Sequence, residues 1–217
     1  MIDVQSLLVI SLWIGVVLLI AIVCKRYFPD KKELTRKIVH IGTGPVIPLA
    51  WWLEISKEVV IAFSSFITVC LLINYQARLI PAIEDIERKS LGTIAYGFSI
   101  TLLIIFFWPQ NAAAVTAGFL VMAFGDGFAG LLGKKLKSKK WEILGQTKSV
   151  AGTMTMGVVT SIVLISISLI IGSPIYPLKL IGLICLAVIL EQISFQGIDN
   201  LTVPIGIAIG WTWMSSI

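Results

Sequence analysis

NAAAVTAGFLVMAFGDGFAGLL, residues 111–132, is an apolar run interrupted by a single acid, Asp126. A bilayer core of about 30 Å is crossed by roughly 20 helical residues, so this run predicts a membrane-spanning helix. An aspartate at the centre of such a helix costs on the order of 2.5–3.5 kcal/mol, so Asp126 needs a partner or a metal ion. Gly125, Ala129 and Gly133 recur every four residues beside it, and Gly130 lies one turn beyond. That small stripe lets either a neighbouring helix or a ligand approach the backbone next to the carboxylate.

Outward from this run the chain keeps the same character. Hydrophobic residues make up 57% of the 217 and charged residues 13%. Mean hydropathy is +0.97. A soluble domain carries roughly 25% charged residues to cover its surface, so ordinary soluble enzymes and secreted disulfide scaffolds are excluded. Further apolar segments cover residues 6–24, 38–53, 59–74, 91–108, 149–171, 177–193 and 201–215. With 111–132 they predict an all-α polytopic transmembrane bundle of about eight spans, or seven if one of the short segments does not cross. The chain reads as one integral-membrane domain, residues 1–217, without repeats or low-complexity segments. The first segment is followed by Lys25 and Arg26 and preceded by no base, the flank of an anchor rather than of a cleaved signal peptide.

The net charge of +5 gathers in alternate loops. Lys25, Arg26, Lys31, Lys32, Arg36 and Lys37 follow the first segment, Arg78, Arg88 and Lys89 the third, and the lysines from Lys134 to Lys148 the fifth. The positive-inside rule makes that face cytoplasmic and removes any need for a nucleic-acid partner. The opposite loops are minimal. One-sided polarity argues against a transporter, whose polar groups lie near the midplane, and favours a site at the cytoplasmic boundary served by a soluble cosubstrate. Cys24, Cys70 and Cys185 match no metal-site spacing and are expected to be buried hydrophobes.

Polar clusters recur along that face. Gly145-Gln146-Thr147-Lys148-Ser149 is expected to open the sixth span with free helix amides, which together with Lys148 would attract phosphate. With Asp126 as a Mg²⁺ ligand, these are parts of a phosphoryl-transfer site. The competing reading of Lys148 is an interfacial lysine. Arg36 and His40 stand four apart on one helix face with Lys37 beside them, either a phosphate grip and general base or the end of a basic loop and a helix cap. Glu84 to Lys89 forms a charged run that is equally a solvated helix face. Glu191 precedes Asp199-Asn200, which is either a turn cap or else a second metal ligand or hydroxyl-activating base.

Arg36-Lys37-x-x-His40, Glu87…Gly92-Thr93, Gly125-Asp126-x-x-Ala129-x-x-x-Gly133, Lys148-Ser149-x-x-Gly152 and Asp199-Asn200-Leu201-Thr202-Val203-Pro204 together resemble the phytol/farnesol kinase and dolichol kinase family. The resemblance runs from about residue 33 to the end. It implies a CTP-dependent, Mg²⁺-requiring membrane kinase that phosphorylates the terminal hydroxyl of an isoprenoid alcohol drawn from the lipid phase. Likeness to cyanobacterial and plastid-type members points to phytol, with geranylgeraniol or farnesol as alternatives, and to a plasma or thylakoid membrane. It places Asp126, Lys148 and Gly152 at the nucleotide, Arg36, Lys37 and His40 near the phosphates, and Asp199 and Asn200 near the hydroxyl. Gly125, Ala129, Gly133, Ser149 and Glu87 complete the nucleotide-binding set. Physical preference assigns Asp126, with Asp199, to the metal, Lys148 and Arg36 to phosphate charge, and Asp199 or His40 to the proton.

Dolichol kinases are longer, which disfavours a dolichol-sized substrate. A CTP-dependent lipid cytidylyltransferase is the near alternative, but its Lys-Asp pair and C-terminal His-Gly-Gly run have no counterpart here. A CTP-using diacylglycerol kinase would share the chemistry and differ in the alcohol.

Overall fold

The computed structural model describes residues 2–80 and 91–215. It is an all-α membrane protein with one small hairpin. In chain order the elements are α1 (Ile2–Tyr27), α2 (Lys32–Gly42), α3 (Val46–Trp52), α4 (Lys57–Ala77), α5 (Gly92–Phe107) and α6 (Ala112–Leu120). A π-helical turn (Val121–Asp126) joins α6 to α7 (Gly127–Lys135), and the hairpin β1 (Lys140–Ile143) and β2 (Gln146–Ser149) follows. The chain ends in α8 (Val150–Ile170), α9 (Pro177–Gln192) and α10 (Asp199–Ser215).

Among the described residues, Val4–Tyr27, Lys57–Ala77, Ala112–Lys135 and Val150–Ile171 are long and apolar enough to cross a membrane, and Gly92–Phe107 is a shorter apolar helix. Large apolar side chains face outward, Phe106 at 72% and Leu178 at 84% exposure. In water such a surface would aggregate; in a bilayer it meets lipid tails of equal polarity.

The core lies where α6 and the π turn pass through the bundle. Val115, Ala117, Phe119, Val121 and Met122 are essentially inaccessible there, packed with Val203, Ile207 and Ala208 of α10 and Met156 and Leu164 of α8. Lipid helices gain nothing from hiding grease from grease, so close approach decides the packing. Gly118 meets the backbone of Pro204, and Gly133 of α7 faces the backbone of Gly152 on α8, where an added Cβ would stand 3.3 Å from its Cα.

Three expectations change. The segment 38–53 is two short helices broken at Thr43-Gly44-Pro45, because proline lacks an amide hydrogen and disfavours helix in the residue before it. The residues 145–149 do not open a helix. They form a turn and β2, paired antiparallel with β1 from Lys140↔Ser149 to Ile143↔Gln146, and the helix starts only at Val150. The cysteines are not core residues: Cys70 and Cys185 are exposed on the apolar exterior and Cys24 is half-buried.

Candidate functional site at the polar end of the bundle

The hairpin turn is Leu144-Gly145, with φ of 49° and 71°. Two consecutive left-handed residues make the tight turn that suits the strand twist, and glycine accepts it without a Cβ penalty. The turn folds β2 back over the end of α7. Ser149 then caps α8, its hydroxyl accepting from Gly152 N at 3.1 Å and donating to Gly133 O at 3.2 Å. Lys148 thereby points inward from a strand rather than from a helix N-terminus.

Lys148 is buried, and its Nζ lies 2.5 Å from both Oε1 and the backbone carbonyl of Glu191 at the end of α9. Gln192 Nε2 donates to Glu191 Oε2 at 2.9 Å and to Thr153 Oγ1 at 2.8 Å, tying α9 to α8. Glu191 is the main residue that the sequence reading left without a role. It is an acid at the end of an apolar segment, and the desolvation argument used for Asp126 applied to it as well.

Asp126 finds its partners on α2. Lys37 Nζ donates to Asp126 Oδ2 at 2.7 Å and to Asp126 O at 3.1 Å. His40 Nε2 stands 3.2 Å from the same Oδ2 and 3.2 Å from Met122 O. Both neighbours accept, so Nε2 carries the proton. His40 therefore acts at that atom as a donor holding Asp126, not as a base. The π turn re-phases the residues after it and so brings Asp126 to α2. Lys37 and Asp126 are both buried, and a buried pair of this kind depends on both members being present.

Arg36, the residue before Lys37 on α2, donates from Nη2 and Nε to Glu33 at 2.8 and 3.3 Å. Burial alone would raise the Glu33 carboxyl. The hydrogen bond and charge of Arg36, with Lys134 and Lys37, outweigh it and hold the group below the ordinary glutamate value. Burial works against the charged Arg36, but Glu33, Asp126 and Asp199 more than offset it and keep the guanidinium firmly charged.

At the start of α10, Asp199 Oδ1 accepts from Asn200 N at 3.1 Å, and Asp199 N donates to Ser194 Oγ at 2.7 Å. Asn200 Nδ2 donates to Gly92 O at 2.9 Å, at the opening of α5.

These groups surround one polar cavity of about 640 Å³. Arg36, Lys37, Asp126, Ala129, Gly130, Gly133, Lys148, Ser149, Gly152, Glu191, Asp199 and Asn200 all line it. The starts of α2, α8 and α10 and the ends of α7 and α9 thus share one face, the face of the lysine-rich segment. Two expected members are elsewhere. Gly125 packs on α8, where an added Cβ would lie 2.7 Å from Met156 Sδ, and His40 lines the neighbouring apolar groove. Glu87 lies outside the described residues.

That groove has a volume of about 240 Å³ and runs among α1, α2, α3, α4 and α5, with Phe119 of α6 and Asn200 of α10 also lining it. Ile10, Ile47, Ala50, Ile55, Val60 and Ile104 line one end, and Gly92, Thr93 and Asn200 the other. Arg36 and Asn200 line both spaces, so the apolar groove and the polar cavity meet at these two side chains.

No family model matches the chain, and no solved structure matches it. Among curated proteins it is similar to the phytol kinase of Synechocystis, 37% identical over 203 residues that cover 92% of this chain and 87% of that protein. It is also similar to two chloroplastic proteins of Arabidopsis thaliana, over shorter stretches. Farnesol kinase is 28% identical over 61% of this chain and 46% of its own, and phytol kinase 1 is 26% identical over 58% and 45%. The extent of the first match settles the family: the chain belongs to the phytol kinases.

Proposed function

We propose that the protein is a multi-pass membrane kinase that transfers the γ-phosphoryl group of a nucleoside triphosphate to the terminal hydroxyl of an isoprenoid alcohol. Phytol is the favoured acceptor and CTP the favoured donor, the latter on the family resemblance. The observation that carries this reading is the junction of a greasy groove and a charged cavity at Arg36 and Asn200. A prenyl chain has the chemistry of the groove, and a triphosphate that of the cavity. The positive-inside rule puts the cavity on the cytoplasmic side, where nucleotide is available.

Mg²⁺ fits this cavity. Asp126 and Asp199 both line it, and among the described residues no cluster of three His, Cys, Asp or Glu side chains forms an all-protein cage. Mg²⁺ typically takes one or two carboxylates and completes its shell with phosphate oxygens and water. Asp126 and Asp199 would hold it, with Asp126 offering Oδ1 because Lys37 and His40 both occupy Oδ2. Bound there, the ion would neutralise charge on the transferring phosphoryl group.

The protein's own groups supply the rest. Lys148 and Arg36 exchange their carboxylate partners for phosphate oxygens as the nucleotide enters. Preformed cations at the site of developing charge form the largest catalytic contribution in phosphoryl transfer. The groove aligns the hydroxyl with the phosphorus and excludes water from the reaction. Asp199, next to Asn200 on the cavity side, takes the hydroxyl proton.

Purified protein in nanodiscs, offered CTP, ATP, GTP or UTP with phytol, geranylgeraniol, farnesol or diacylglycerol, tests the reading. The expected product is an isoprenyl monophosphate formed fastest from phytol and CTP. Phosphatidate as the main product would make the protein a diacylglycerol kinase, and no phosphorylated lipid with any pair would overturn the proposal.

A further inference from the structure

Asn200 is 2% exposed, yet its side chain is only half used. Nδ2 donates to Gly92 O at 2.9 Å, which fixes the orientation of the amide, since a carbonyl can only accept. The other end, Oδ1, is buried and receives no hydrogen bond among the described residues. An unsatisfied buried acceptor is costly and rare in a native protein. This one belongs to a residue that lines both the groove and the cavity, at the point that the proposed reaction assigns to the hydroxyl. Helix capping does not account for it, because the N-terminal turn uses Asp199 Oδ1 and the Asn200 backbone amide instead.

We infer that Asn200 Oδ1 accepts the hydrogen bond of the alcohol's O–H group in the complex that precedes transfer and so holds the hydroxyl at the junction; the single O–H hydrogen turns from Asn200 to Asp199 as the hydroxyl attacks. The inference rests on the kinase reading and adds a selection rule to it. A neutral acceptor at the junction demands a ligand with a donor hydrogen. It satisfies an alcohol and leaves an ether or an ionised phosphate monoester facing an oxygen lone pair. The site therefore prefers a free isoprenoid alcohol over its methyl ether and over the phosphorylated product, which also favours product release. The fixed amide keeps this selection neutral and distinct from the proton acceptor next to it.

The test is a cycle that changes both protein and ligand. Dissociation constants of phytol and phytyl methyl ether are measured without nucleotide, by displacement of a fluorescent prenol from the wild-type protein and from Asn200→Leu in nanodiscs. In the wild type the alcohol is expected to bind roughly 10-fold more tightly than the ether, the scale of a buried hydrogen bond that is made or lost. In Asn200→Leu the ratio is expected to collapse toward unity. A merely structural role would weaken both ligands alike and keep the ratio. Equal affinities in the wild type, which needs no variant to fold, would overturn the inference. Phytol turnover by the same wild-type preparation separates the two failures. Turnover with equal affinities sinks the Asn200 role alone, and no turnover with any alcohol sinks the kinase reading together with it.

Discussion

At the scale of the residue, the central object is the buried carboxylate of Asp126 held by Lys37 and His40. Its need for a partner is legible in the sequence, because a charge inside an apolar helix is intolerable alone. Which partner is not legible, since Lys37 comes from a helix 89 positions away in the chain. Asp126→Asn would strand the Lys37 ammonium, and breaking one member of a buried pair costs about 3–5 kcal/mol. The informative variant is therefore Asp126→Asn with Lys37→Met, which removes both charges. It is expected to insert and stay folded, with a midpoint close to wild type in a thermal melt, while phosphotransfer falls by at least 100-fold. Wild-type turnover in that variant would deny Asp126 a part in the chemistry. Lys148→Met with Glu191→Gln, which leaves no buried carboxylate stranded, tests a second cation of the cavity. A hydrogen bond to a charged group contributes about 1.5–3 kcal/mol, so its loss should raise the nucleotide KM roughly 10- to 100-fold. The alcohol KM should hold, and steady-state kinetics with each substrate varied in turn distinguishes the two.

At the scale of the element, the hairpin between α7 and α8 was the part of the site hidden from the sequence. Residues 140–149 contain lysines that suit a cytoplasmic loop, and Leu144-Gly145 is not the Asn-Gly or Asp-Gly pair that announces a two-residue turn. The strand assignment matters because it turns Lys148 inward onto Glu191. By contrast, the break between α2 and α3 was visible in Gly44-Pro45, a punctuating dipeptide inside an apolar segment. Gly145 sits at φ of 71° with open space around it, so a substitution there strains backbone without any clash. Gly145→Val should cost about 1–3 kcal/mol locally and loosen the cavity wall. The expected result is a several-fold rise in nucleotide KM with prenol affinity unchanged in the displacement assay. An equal loss for both substrates would show that the hairpin supports the whole bundle rather than the cavity.

At the scale of the whole molecule, composition and hydropathy sufficed to place the chain in a membrane, because too little charge is present to cover a soluble surface. They could not reveal the apolar groove, whose walls come from seven separate helices and whose side chains look like any other core residue. Its length agrees with the prenyl occupant proposed for it. From Gly92 to Ile104 along α5 the groove spans about 18 Å at the helical rise, a length suited to a prenyl chain of three or four isoprene units. Ala50, 2% exposed, lines the end away from the polar junction. Ala50→Phe is expected to shorten the groove and lower kcat/KM for the C20 alcohols at least 10-fold, while C10 geraniol is spared. A uniform loss across chain lengths would mean that the tail lies elsewhere.

A kinase of this kind passes the terminal phosphate, and not the nucleotidyl group, from cavity to groove. Parallel reactions of the purified protein with phytol and CTP labelled at either the α- or the γ-phosphorus measure that directly. Transfer of γ-label to a lipid monophosphate, with α-label left in CDP, is the predicted result. Appearance of α-label in the lipid, or of neither label, would contradict it.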